Sequence, residues 1–158
     1  MSERWREAVA AVLDGREAHA TFDDAVADLA PEARGRRPEG LPHSAWELLE
    51  HLRIAQVDLL AYLEDPEYVA PAWPDGYWPP SADPPDPGAW DESVAAYRRD
   101  RQRLQALAVD PAVDLLAKVP SGADHSYLRT LLVATDHAAY HIGQLVQVRR
   151  LLGAWPPG

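Results

Sequence analysis

Apolar residues recur at every third or fourth position through four long segments of this 158-residue chain, and this spacing predicts amphipathic helices. The segments cover about residues 2–29, 44–63, 90–108 and 126–152. Nowhere do β-branched and aromatic residues alternate over a run long enough for a strand. Four amphipathic helices bury their apolar faces most simply against one another. The sequence therefore predicts an all-α, four-helix bundle formed by one domain over residues 1–158.

Side chains with a known capping role mark the ends of two of these helices. Ser44 followed by Glu47 forms a capping box, which predicts a helix beginning directly after Ser44. Gly153, with Pro156 shortly beyond it, predicts that the last helix ends near Leu152. Gly15 is expected to break or bend the first helix, because glycine is a weak helix former.

The connection between the second and third helices is long and rich in proline. Eight of the fifteen prolines lie within residues 64–89, together with Tyr68, Trp73, Tyr77 and Trp78. Disordered segments contain few aromatic residues, so we expect an ordered loop that packs over one end of the bundle. Two roles are open for this loop: a lid or wall of a pocket, or a strap that seals the core.

The composition argues against several classes of protein. The net charge is −10 and the short basic clusters are mixed with acids, which argues against a nucleic-acid-binding surface. Cysteine is absent, which excludes disulfides and thiolate ligands. No apolar stretch is long enough to span a membrane, and the charged N-terminal segment does not resemble a signal peptide. We therefore expect a cytoplasmic protein that acts on a small molecule rather than on nucleic acid or a membrane.

Three histidines are placed to meet in the interior of the bundle. His137 and His141 lie one turn apart on the apolar face of the last helix, and His51 lies at the edge of the apolar face of the second helix. A lone buried histidine is usually satisfied by a carbonyl or hydroxyl group. Two neighbouring imidazoles both need partners, and they repel each other when protonated. The pair is therefore either a set of core histidines or a pair of metal ligands, with His51 as the third ligand in the second case.

Two common metal motifs are absent from the sequence. The letters HAAYH lack the glutamate of the HExxH zinc motif, and no histidine follows a glutamate at the Glu-x-x-His spacing of ferritin-like sites. Zinc is the expected divalent metal and nickel the next, since imidazole suits both. His19 is a reserve ligand, whereas His43 beside the helix cap and His125 in a turn are less suitable. Glu47 is a candidate for a catalytic base, and Gln144 is a further residue that could line the site.

Three stretches, SAWELLEHLRIAQVDLL, WPDGYWPP and DHAAYHIGQLVQVRRLLGAWPP, make the chain resemble the DinB-like (damage-inducible) superfamily of four-helix-bundle metalloproteins. The resemblance covers almost the whole chain. It implies an up-up-down-down style of bundle with a long crossover, commonly a homodimer, and a divalent-metal site formed by His51, His137 and His141. It also implies thiol chemistry, since members include bacillithiol and mycothiol S-transferases and a thiol-dependent maleylpyruvate isomerase. Many other members are classed only as metal-dependent hydrolases.

Three functions are consistent with these residues. The first is a metal-dependent enzyme that transfers a low-molecular-weight thiol to a small electrophile, which requires neither a cysteine nor a protein base. The second is a metal-dependent hydrolase, for which Glu47 or Glu50 is the available carboxylate. The third is a non-catalytic metal-binding bundle of a stress response, in which His19 or Glu47 closes the site as a fourth ligand. The first function is favoured.

Overall fold

The computed structural model describes residues 4–156, and within this range every regular element is helical. In chain order, the elements are α1 (Arg4–Asp14), α2 (Phe22–Val26), α3 (Pro31–Arg34), α4 (Ala45–Glu64), a 3-10 turn (Asp75–Tyr77), α5 (Ala89–Val109) and α6 (Tyr127–Leu151). The β pairing in this range consists of one isolated antiparallel bridge between Lys118 and Ser126. The prediction of an all-α protein is confirmed.

The four long helices form the bundle. α4 packs against α5 and α6, and α1 packs against the same two helices, so α1 and α4 lie at opposite corners. The predicted helices over 44–63, 90–108 and 126–152 agree with α4, α5 and α6 to within one residue at each end. Across the described part of the chain, none of the helices is both long and apolar enough to span a bilayer.

The first predicted segment, over residues 2–29, is interrupted at Gly15, where a break or bend is expected from the sequence, and it becomes helical again only over Phe22–Val26. α1 ends at Asp14, and Gly15 follows with a φ of +74°, a left-handed conformation that glycine adopts at little cost. A new helix begins after Thr21, whose hydroxyl accepts the amide of Asp24 at 3.0 Å. The Asp24 carboxylate in turn accepts the amide of Thr21 at 2.9 Å, which completes a second capping box. The first positions of the predicted helix lie outside the described residues.

Two buried arginines stabilise helix ends inside the bundle. Arg149 donates to the carbonyls of Ala25 at 2.9 Å and Ala27 at 2.6 Å, at the end of α2. Arg6 donates to the carbonyl of Ala108 at 3.2 Å, at the end of α5. The last carbonyls of a helix have no partner within the helix, and they carry its partial negative charge. Each guanidinium group therefore supplies both hydrogen bonds and a favourable charge.

The apolar core has two parts, one toward each end of α4 and α6. The first includes Trp46 and Leu145, and the second includes Leu63 and Leu131. The segment of α6 between these two parts carries His137 and His141. The histidine pair is thus positioned at mid-height in the bundle by the apolar residues on either side of it.

Candidate metal centre

Three imidazoles meet at one point between α4 and α6. The Nε2 atom of His51 lies 3.0 Å from Nε2 of His137 and 3.1 Å from Nε2 of His141. His137 and His141 project from successive turns of α6, and His51 projects from α4. Over residues 4–156, these three side chains form the group with the spacing of metal ligands. The cluster predicted from the sequence is present, and it is compatible with the binding of a metal ion.

The partners of the outer ring nitrogens determine which nitrogens carry protons. Nδ1 of His51 donates to the main-chain carbonyl of Tyr77 at 2.8 Å, and Nδ1 of His141 donates to Oε1 of Gln144 at 2.7 Å. A neutral imidazole has only one N–H, so the Nε2 atoms of both rings present lone pairs, although they face each other. Zinc bonds of about 2.0 Å in tetrahedral geometry place ligand nitrogens about 3.3 Å apart, close to the observed separations. The facing lone pairs of the two Nε2 atoms repel each other. A cation bound between them would attract both, so the residues fit a metal.

All three imidazoles are held in the neutral form that metal ligands require. Burial, together with the proximity of His141 and His51, lowers the pKa of His137 to about 4. Burial and the proximity of His51 also lower the pKa of His141 to about 4, against the opposing effect of its bond to Gln144. Burial lowers the pKa of His51, although its bond to the Tyr77 carbonyl opposes the shift. Each ring is therefore neutral at pH 7, with a lone pair free for a cation.

The proline-rich loop lies over the cluster and fixes the orientation of His51. The indole of Trp78 stacks between two imidazoles, with its centroid 4.0 Å from that of His51 and 4.0 Å from that of His43. Tyr77 binds His51 through its carbonyl and donates its hydroxyl to Asp58 of α4 at 3.0 Å. The loop is thus a wall of the site, and through Trp78 it also packs against the core.

An open pocket of about 390 Å³ lies against the three imidazoles. This volume is in the range of sites that bind small molecules. The loop contributes aromatic rings and the two helices contribute aliphatic side chains. The lining residues are His51, Ala55, Leu59, Trp73, Tyr77, Trp78, Val133, His137 and His141. Among these described residues none is a carboxylate, a lysine or an arginine, so the imidazole nitrogens are the ionisable groups closest to a bound molecule, together with the Tyr77 hydroxyl.

The two glutamates considered from the sequence are engaged in ion pairs and do not line this pocket. Glu47 accepts hydrogen bonds from Nε of Arg37 at 2.8 Å and from the amide of Ser44 at 2.8 Å. Glu50 accepts hydrogen bonds from Nε and Nη2 of Arg53, both at 2.8 Å. These contacts give both carboxylates a structural role, while the catalytic role considered for Glu47 stays a prediction.

The other three histidines lie outside the cluster. His19 is exposed in the loop between α1 and α2, where it hydrogen-bonds to a main-chain carbonyl. His125 is exposed and lies 2.6 Å from the hydroxyl of Tyr62. His43 stacks on the indole of Trp78, a contact that links it to the histidine cluster and that the sequence did not indicate. Neither its position beside the helix cap nor any periodicity predicts this contact, because it depends on the path of the loop.

Comparison with known proteins agrees with this geometry. The family model of the DinB superfamily matches residues 15–145. The chain belongs to the DinB superfamily. The matched region contains all three histidines of the cluster, and the all-helical fold of the DinB superfamily is the one observed. No curated protein and no solved structure matches the chain. Because one fold hosts many activities, the function has to be argued from the site.

Proposed function

We propose that this DinB superfamily protein is a divalent-metal-dependent enzyme that transfers a low-molecular-weight thiol to a small electrophile. His51, His137 and His141 would hold the metal, with zinc expected first and nickel next. The observation that carries the proposal is the convergence of three neutral imidazoles beside an open pocket. When bound, the metal would supply a positive charge that favours the thiolate form of a thiol over the protonated form.

Residues around the three imidazoles prepare the site for such a reaction. Tyr77 and Gln144 bind the outer nitrogens of His51 and His141, which fixes the direction of their inner lone pairs. The aromatic wall would replace part of the water around a bound electrophile, and this water would otherwise compete with sulfur. In the transfer, a sulfur electron pair forms the new carbon–sulfur bond. The leaving group departs with the electrons of the broken bond, and the thiol proton passes to solvent.

The kinds of polar group that line the pocket favour thiol transfer over hydrolysis. A hydrolase commonly uses a base within hydrogen-bonding reach of the attacking water, and no carboxylate is among the described residues that line the pocket. Glu47 and Glu50 are instead paired with Arg37 and Arg53. A thiol does not need a protein base once its pKa is lowered.

The openness of the cluster argues against a purely structural metal. Structural zinc sites use four protein ligands, whereas catalytic sites use three and leave one position for another molecule. No fourth histidine or carboxylate joins the three imidazoles within the described part of the chain. The pocket of about 390 Å³ lies against this cluster. We therefore propose an enzyme rather than a closed metal-binding bundle.

Metal analysis of tag-free protein tests the metal centre. We expect about one zinc per chain in the wild type and none in the His137→Ala, His141→Ala double variant. His125→Ala is the matched control, because this imidazole lies outside the cluster. A wild-type protein that is isolated without metal, and that cannot be loaded with zinc or nickel, would contradict the proposal.

Two assays on the zinc-loaded protein distinguish the candidate reactions. We expect thiol-dependent conversion of chlorodinitrobenzene with bacillithiol, mycothiol or cysteine as the thiol. We expect no hydrolysis of nitrophenyl acetate above the level of the double variant. Hydrolysis without added thiol would assign the hydrolase function instead. Zinc binding with neither activity would support a non-catalytic role.

A further inference from the structure

A large aromatic side chain is exposed at the mouth of the pocket. The indole of Trp73 lines the pocket, yet 77% of the residue is accessible to solvent. Its ring centroid lies 5.6 Å from that of Tyr77, at an angle of 58°. Exposed aromatic groups beside a cavity commonly belong to a binding site, because their exposure has no benefit for folding. Trp73 is thus placed to contact a molecule that enters the pocket.

The turn that carries Trp73 is held in one conformation. The amide of Gly76 donates to the carbonyl of Ala72 at 2.7 Å, and the amide of Tyr77 donates to the carbonyl of Pro74 at 3.0 Å. A Cβ atom at Gly76 would lie 2.8 Å from Cβ of Pro71, so only glycine allows this close approach. The main chain that carries the indole is therefore constrained by its own hydrogen bonds and by close packing at Gly76, which reduces the main-chain entropy lost on binding.

The other pocket walls favour an uncharged molecule. Ala55 and Leu59 of α4 and Val133 of α6 provide aliphatic surface, and the described lining residues include no lysine, arginine or carboxylate to pair with a charge. A charged group buried there would lose hydration without gaining a partner, apart from any interaction with the metal. An engineered cavity of about 150 Å³ holds a benzene molecule, so the pocket has room for an aromatic ring beside a small thiol.

We propose that Trp73 is a specificity-determining residue and that the pocket takes an uncharged, planar electrophile, such as an aromatic or conjugated compound, whose face packs on the indole. That the ligand is an electrophile rests on the proposed function, whereas the preference for a planar, uncharged ligand rests on the pocket walls alone. Aromatic pairs gain affinity beyond the area they bury, and this gain corresponds to a factor of about two to ten in binding. A saturated ligand of equal size lacks the gain.

A matched pair of probes tests the proposal. Nitrobenzene and nitrocyclohexane are both uncharged and carry the same substituent, but only the first is planar. Their dissociation constants can be measured by NMR titration of the zinc-loaded protein and of the metal-free protein. The variants are Trp73→Ala, Trp73→Phe and the control Val69→Ala. Val69 is an exposed apolar residue of the same loop that is absent from the described lining of the pocket.

We expect Trp73→Ala to weaken nitrobenzene binding about two- to tenfold more than it weakens nitrocyclohexane binding, because both probes lose buried contact area and only nitrobenzene loses the aromatic gain. Trp73→Phe should retain most of the affinity, and Val69→Ala should behave as the wild type. Equal effects on both probes, or none on either, would overturn the proposal. The proposal would also be overturned if the wild type is a dimer and Trp73→Ala converts it to a monomer. The indole would then be covered by a second copy of the chain.

The measurement on the metal-free protein separates this inference from the proposed function. If the protein binds no zinc but binds nitrobenzene through Trp73, the metal chemistry is wrong and the preference for a planar ligand stands. If zinc binds and thiol transfer occurs, but Trp73→Ala leaves the affinity for nitrobenzene unchanged, the preference is wrong and the metal chemistry stands.

Discussion

His51 donates its Nδ1 proton to the main-chain carbonyl of Tyr77 over 2.8 Å, which connects the histidine cluster to the proline-rich loop. The hydroxyl of Tyr77 binds Asp58, and the hydroxyl of Tyr68 binds the same carboxylate at 2.6 Å. The loop is thus attached to α4 at two points, and the orientation of His51 depends on that attachment. We therefore expect substitutions in the loop to change the metal affinity even though the loop supplies no ligand.

Replacing Trp78 by alanine removes the ring that stacks on His51. We expect the Kd for zinc to rise about tenfold, since the loss of a group that orients a histidine ligand typically costs at least that much. Trp78→Phe keeps an aromatic face and should recover most of the affinity. Calorimetric titration with zinc measures the change, and Val69→Ala is the control, because Val69 is an exposed residue of the same loop that is absent from the described lining of the pocket. Equal affinities in Trp78→Ala and the wild type would show that stacking does not position the ligand.

Zinc should stabilise the folded protein, because the three imidazoles meet only when α4 and α6 are packed together. At a free zinc concentration of about 100 times the Kd, binding adds about 2.7 kcal/mol to the free energy of unfolding. For a domain of this size, this corresponds to a rise in Tm of about 5–10 °C. Scanning fluorimetry with and without zinc measures the rise, which a chelator should reverse. A rise that persists in His51→Ala would locate the metal elsewhere.

The limits of the three long helices that follow the first segment could be predicted because local sequence determines them. Ser44 caps α4 with its own hydroxyl, and Ser126 caps α6 in the same way. The break after α1 could be expected from Gly15, but the return to helix at Phe22 could not be placed from apolar spacing, which continues through the turn. The pair of Thr21 and Asp24 is a capping signal that the sequence contains, and apolar spacing alone overlooks it.

The histidine cluster could be predicted because packing brings the apolar faces of two helices together. His137 and His141 share one face of α6 by spacing alone, and His51 lies on the facing side of α4. The contacts of His43 and Asp58 could not be predicted, because their partners are in the proline-rich loop. Helical periodicity determines which residues share a face, but it does not determine the path of a connection without regular structure.

The guanidinium group of Arg149 should be essential for stability. The residue is 1% exposed, and it donates to carbonyls at the end of α2 and to the carbonyl of Ala154 at 2.9 Å. Arg149→Met keeps much of the apolar stem but leaves these acceptors without their donor. We expect a loss of about 3 kcal/mol in the free energy of unfolding, measured by urea denaturation. Arg150→Met, at the exposed neighbouring position, should change it by less than about 0.5 kcal/mol. Similar losses in both variants would contradict this role.

Asp23 links α2 to α5 through a charge that depends on pH. Its carboxylate accepts hydrogen bonds from Nε of Arg98 at 2.6 Å and from Nη2 of Arg101 at 3.1 Å. Burial raises the pKa of Asp23, but the bonds to the two guanidinium groups outweigh it, so that the pKa is lowered from its ordinary value of 3.8. A carboxyl group whose pKa is lowered in the folded state stabilises the fold at pH values above the pKa that the group has in the unfolded state. That contribution is lost as the pH falls through the folded value.

Asp23→Asn should therefore destabilise the protein at neutral pH more than in acid. We expect a cost of about 1 kcal/mol at about pH 7, because solvent screens a carboxylate that is only partly buried. The cost should shrink as the pH falls below 3.8 and through the lowered pKa of the folded state, where the wild-type carboxylate also loses its charge. Urea denaturation across this range measures the difference, with Asp136→Asn at an exposed position of α6 as the control. A cost that stays constant with pH would assign the effect to the packing of the side chain rather than to its charge.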